Sequence, residues 1–206
     1  MPGMETEQIW REIDAGRAAL ADLLVGLDDA QWGTASLCEG WSVRDVGAHL
    51  TQAHSGLSDV LWPLVRSGFS FNRTVHRLAL DSPLDHAGIV AALRAMVGSR
   101  RRAVGVTPME PLLDILVHTQ DIAVPLGLDV PMPPEAAIAA AERTFAYRGP
   151  LRFTRRFDDV TFVATDVDWR HGTAEAEVRG PIAALVMALT GRPDPRVAGE
   201  LGRLRG

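Results

Sequence analysis

Four stretches in the N-terminal part of the chain place apolar side chains every three or four residues. That 3.6-residue period confines this region to packed amphipathic helices. Ile9, Ile13, Leu20, Leu23, Leu24 and Leu27 mark a first helix from about Glu5 to Leu27. Val46, Leu50, Leu57 and Leu61 mark a second, which Pro63 and Gly68 bend or end. Ser42 precedes this helix with Asp45 three residues later, the spacing of a capping box with Asp in place of the usual Glu. Ile89, Leu93, Met96 and Val97 stripe a third helix, from about Leu84 to Arg102, and residues 67–81 read as irregular or partly helical. A fourth helix starts near Pro111, carries Leu112, Ile115, Leu116 and Ile122, and stops near Pro125 and Gly127. The segment between the first two helices, Asp28 to Trp41, reads as a loop.

The pattern changes further along. An Ala-rich helix is expected from about Pro134 to Tyr147. Val160–Thr165 and Ala174–Val178 are rich in β formers and flank His171-Gly172, which predicts a hairpin. A short helix, Ile182 to Thr190, is expected to end at Gly191. The fold class is therefore mainly α: a four-helix bundle over residues 1–130, followed by a small α+β domain over 131–206.

Composition narrows the function classes. Hydrophobic residues make up 47% of the 206 and charged residues 23%, so the chain can bury a core without disulfides. Cys38 is the single cysteine, which excludes an intramolecular disulfide and suits a reducing compartment. Met1 to Trp10 lacks a basic stretch followed by an apolar run, so no secretory leader is expected. No run approaches the roughly 18 apolar residues of a membrane span. The expected location is the cytoplasm, as a monomer or homodimer. The net charge is -5, and every basic residue is Arg. The clusters Arg100–Arg102 and Arg152–Arg156 read as solvated faces, so no nucleic-acid partner is expected.

The chemistry-bearing residues lie on the second and fourth helices. Asp114 and His118 are one helical turn apart, about 40° around the axis, so a carboxylate and an imidazole can grip one ion. Asp121 follows on the same face and suits a partner that orients a ligand histidine. His49 lies among Val46, Gly47, Ala48 and Leu50, an inward-facing setting. Two nitrogens and one carboxylate oxygen leave coordination positions open and suit zinc, nickel, manganese or iron. The competing explanation is structural, because a single inward histidine is more often a hydrogen-bonded core residue. Cys38 precedes a helix N-terminus, which can lower a thiol pKa, but no base is evident beside it in the sequence. Trp41 reads as a loop anchor. His76, His86 and His171 receive no role, and His54 projects about 140° away from His49.

Cys38-Glu-Gly-Trp41-Ser-Val-Arg44-Asp45-Val-Gly-Ala-His49-Leu50 resembles a signature of the DinB-like, mycothiol-dependent maleylpyruvate isomerase family. Leu113-Asp114-Ile-Leu-Val-His118-Thr-Gln-Asp121-Ile122-Ala-Val-Pro125-Leu126-Gly127 is similar to its second signature. Val163-Ala-Thr-Asp166-Val-Asp168-Trp169, Val178-Arg-Gly180-Pro181 and Leu189-Thr-Gly191-Arg192 are similar to its C-terminal domain. The resemblance implies a DinB-like four-helix bundle and a zinc-type divalent metal held by His49, Asp114 and His118. Asp114 stands where the family typically carries Glu, one methylene longer. The resemblance further implies mycothiol as co-substrate and a small electrophilic substrate, in a thiol-transfer or isomerisation reaction. Arg192 is the candidate catalytic residue, as a fork donor to an anionic substrate or thiol carboxylate. Helix-end cation is its alternative role. A non-catalytic metal- or ligand-binding stress or regulatory bundle is the alternative function.

Overall fold

The segments with a 3.6-residue period fold as helices whose ends are set by side-chain caps and glycines. The computed structural model describes residues 4–52, 71–102, 106–146, 157, 159–192 and 194–199, with the backbone alone at 71–75. The chain divides into two compact units, Glu5–Val130 and Pro131–Gly206, the latter with Met1–Met4. Leu57, Leu61, Pro63 and Gly68 of the expected second helix, together with His54 and Arg152–Arg156, lie outside the described residues.

The first unit contains α1 (Thr6–Val25), α2 (Asp29–Trp32), α3 (Val43–Thr51), α4 (Phe71–Leu80), α5 (His86–Ala95) and α6 (Met109–Ala123). Both α1 and α3 pack against both α5 and α6, so these four helices enclose one core, while α4 lies along α3. Ile13, Leu20, Leu24, Val43, Ile89, Leu93, Leu112 and Ile122 fill that core and are almost completely buried. Each such side chain contributes about 1.5–3 kcal/mol by leaving water. Small residues bring the helices close: a Cβ on Gly16 would lie 3.0 Å from Ile115 Cγ1, and one on Gly47 would lie 3.2 Å from Ile89 Cγ2. Arg17 is buried among them. Its Nη1 donates to the Met96 carbonyl at 2.8 Å and the Ser99 carbonyl at 3.2 Å, tying α1 to the end of α5.

The helix bearing His49 starts where Ser42 and Asp45 predict. The Ser42 side chain accepts from the Asp45 backbone N–H, and Asp45 Oδ2 accepts from the Ser42 N–H at 3.0 Å. Three expectations need correction. Asp28–Trp32 is not plain loop: Asp28 and Gln31 form a reciprocal cap that nucleates α2. Residues 71–80 are helical throughout, as α4. The third helix ends at Ala95 and not near Arg102, because Gly98 takes a left-handed φ of 79° and turns the chain. Among the described residues, no helix is long and apolar enough to cross a membrane.

In the second unit, α7 (Pro134–Ala146) packs against α8 (Ile182–Leu189). Strands β1 (Thr161–Ala164), β2 (Arg170–His171), β3 (Glu177–Gly180) and β4 (Ala198–Gly199) form one sheet in the order β2-β1-β3-β4. The expected hairpin is absent in that form. β1 and β3 pair in parallel, and only the two-residue β2 returns antiparallel to β1. Gly172 makes the crossing: its φ is 102°, and a Cβ there would lie 2.7 Å from the Val160 carbonyl oxygen. Asp166 Oδ1 then accepts from the Ile182 N–H at 2.8 Å and caps the start of α8. The chain is therefore mainly α, a helical bundle with a small C-terminal sheet.

Candidate metal centre

Helix α6 carries three acidic or imidazole side chains on one face, at Asp114, His118 and Asp121. Asp121 is fully buried, and its Oδ2 lies 2.8 Å from Nδ1 of His118, one turn back on the same helix. A buried carboxylate at this distance accepts the Nδ1–H, which fixes the ring and leaves Nε2 as the nitrogen open to a ligand. His118 is itself only 12% exposed. Burial pulls its pKa down. The hydrogen bonds to Asp121 and Cys38, and the charges of Asp114 and Asp121, outweigh that pull and raise it to about 9.

His49 reaches the same place from α3. Its ring centroid lies 4.9 Å from that of His118, with the two planes at 81°. Asp114 is half-buried and lines a cavity of about 10 Å³ with Leu50 of α3 and Arg17 of α1. The structure thus brings the two imidazoles together from adjoining helices, while Asp114, one turn before His118 on α6, lines a cavity that neither imidazole lines. The donor chemistry suits a divalent ion: two imidazoles, one of them oriented by a carboxylate, and a surplus of negative charge at a site that attracts protons. Arg192, the fourth candidate, lies in the other unit, just beyond α8. Its Nη1 donates to the Thr190 carbonyl at 2.7 Å.

Two features of the site are invisible in the linear sequence. Cys38 Sγ donates to Asp121 Oδ2 at 3.0 Å and lies 3.7 Å from His118 Nδ1, so the thiol does have a carboxylate and an imidazole beside it. These three donor atoms all lie within 4.8 Å of one another. Second, Trp41 is buried and its ring sits 5.2 Å from that of His49. The indole N–H donates to Nδ1 of His76 at 2.6 Å, and the two rings stack at 5.7 Å. His76 therefore holds the tryptophan that walls His49. No local signal marks either pair, because the partners are 83 and 35 residues apart.

A four-helix bundle with two histidines facing each other from adjoining helices defines the class of this protein. The chain belongs to the family described as the mycothiol maleylpyruvate isomerase N-terminal domain, whose model matches residues 13–123. Two solved structures share the fold of the whole chain: the mycothiol-dependent maleylpyruvate isomerase and a histidine-to-alanine mutant of it. Each is 16% identical, with a TM-score of 0.66, and the match covers 98% of this chain and 97% of the other. No curated protein matches the chain.

Proposed function

We propose that the protein is a metal-dependent enzyme that uses mycothiol to transfer a thiol to, or isomerise, a small electrophilic substrate. In this reading His49, Asp114 and Nε2 of His118 hold one divalent ion, zinc by preference. The observation that carries it is the His118 imidazole, oriented by buried Asp121 and facing His49. A site whose surroundings favour positive charge on that ring also favours a cation beside it. A bound divalent ion supplies Lewis acidity and lowers the pKa of a thiol brought to it, so thiolate is available at neutral pH.

The chain's own residues do the rest. Asp121 keeps the proton on Nδ1 and so selects Nε2 as the ligand atom. Trp41, held by His76, covers one side of His49 and limits its rotation. Arg192 is assigned to recognition of a carboxylate on the substrate or the thiol, through its planar fork of donors. The cytoplasm is the compartment this reading assigns, since a thiol co-substrate requires reducing conditions.

The test is turnover of maleylpyruvate and a panel of small electrophiles, with and without mycothiol, before and after chelation. Thiol-dependent turnover that is lost on chelation and restored by zinc is expected. A metal-loaded protein that turns over nothing in the presence of mycothiol would instead be a non-catalytic binding module.

A further inference from the structure

The His118 ring has two edges, and the proposed catalytic ion uses only one of them. On the other edge Cys38 Sγ, His118 Nδ1 and Asp121 Oδ2 form a triangle with sides of 3.0, 2.8 and 3.7 Å. Such a triangle has its centre about 1.9 Å from each corner, and metal bonds to N, O and S donors are about 2.0–2.3 Å long. An ion slightly out of the plane reaches all three. The hydrogens now between these atoms occupy the space the ion would take.

The thiol is held there by a built loop. The Leu37 N–H donates to the Asp121 carbonyl at 3.1 Å, pinning the loop to α6. Ser36 Oγ donates to the carbonyls of Cys38 and Trp41 at 3.2 and 2.9 Å and accepts from the Cys38 N–H at 3.1 Å. The Trp41 N–H closes the turn on the Cys38 carbonyl at 3.0 Å. Donors fixed in advance by such contacts bind an ion without paying to be ordered first.

We propose that Cys38, Asp121 and Nδ1 of His118 form a second cation position, selective for thiophilic divalent ions such as zinc, cobalt or cadmium. Binding releases two protons to solvent, one from the thiol and one from between Nδ1 and Oδ2. The ion, a thiolate and a carboxylate then sum to zero charge. The remaining coordination position is open to water or an exogenous thiol. This inference goes beyond the proposed function and concerns the protein with the His49–Asp114 position empty: an ion there relies on the proton that Asp121 keeps on Nδ1, and an ion here displaces it.

Cobalt titration of the full chain tests it. Cys38 is the single cysteine, so any thiolate-to-cobalt charge-transfer band reports on it alone. A saturable band is expected in the wild type and in His49→Ala, with cobalt affinity falling at least about 10-fold in Asp121→Asn. The absence of a band in protein that binds cobalt elsewhere overturns the proposal. So does a band that is indifferent to Asp121→Asn and His118→Ala. Should those variants not fold, the wild type alone decides. Cadmium should slow alkylation of Cys38 at least about 10-fold, as expected of a metal-bound thiolate, and unchanged reactivity overturns the proposal. If His49→Ala leaves zinc binding untouched while the band persists, the proposed function fails and this inference stands.

Discussion

Nδ1 of His118 lies 2.8 Å from Oδ2 of Asp121, a carboxylate with no exposure to solvent. Asp121 thereby decides which nitrogen of the ring is left for a ligand. Asp121→Asn keeps the shape but loses the charge that fixes the tautomer, and zinc affinity is expected to fall about 10–100-fold. Competition against a chromogenic chelator measures it.

The same pair makes the stability of the metal-free protein depend on pH. His118 titrates at about 9 in the folded chain against an ordinary 6.5. Between those values the folded state holds a proton that the unfolded state has lost. The contribution is therefore complete below pH 6.5, declines as pH rises, and is gone above about 9. At about 1.36 kcal/mol per pH unit the loss is on the order of 3 kcal/mol. Urea unfolding in chelator at pH 6 and pH 9.5 should show it, and Asp121→Asn should flatten the difference.

At the start of α3, Ser42 Oγ and Asp45 exchange hydrogen bonds that fix the helix bearing His49. Burial pushes the Asp45 pKa up, but its bonds to Ser42 and Arg44 more than reverse that and hold it below the usual carboxylate range. Its contribution is thus present at neutral pH and lost as pH falls through the acidic range. Ser42→Ala should cost about 1 kcal/mol in denaturant unfolding.

Gly172 occupies a left-handed conformation beside the Val160 carbonyl. Gly172→Ala should destabilise the second unit by about 1–3 kcal/mol, because the added Cβ meets that oxygen in a conformation L residues avoid. Thermal unfolding measures the loss, and zinc affinity in the first unit should stay unchanged.

The bundle was legible because its helices carry their own period and caps. Ile13, Leu20 and Leu24 on α1, and Ser42 with Asp45 on α3, declare themselves within one or two turns. His49 and His118, read as reaching one site from two such helices, lie with their rings together. What escaped was pairing across distance. Val160–Thr165 and Ala174–Val178 show strand character but not that β1 and β3 run parallel, because Gly172 and not a two-residue turn sets the crossing. Cys38 looked like a thiol without a base because its partners sit on α6, brought in by the Leu37–Asp121 backbone bond. The early end of α5 escaped because apolar spacing continues through Val97 although Gly98 turns the chain.

Zinc affinity decides whether His49, Asp114 and His118 share one ion, measured in the Cys38→Ala protein, which lacks the thiolate of the second position, and in the same protein carrying His49→Ala, Asp114→Ala or His118→Ala. One tightly held zinc per chain is predicted. Each variant should weaken it by more than about 100-fold, since losing a ligand costs more than losing the partner that orients one. Equal affinity in the Cys38→Ala protein with and without His49→Ala and Asp114→Ala would show that they do not.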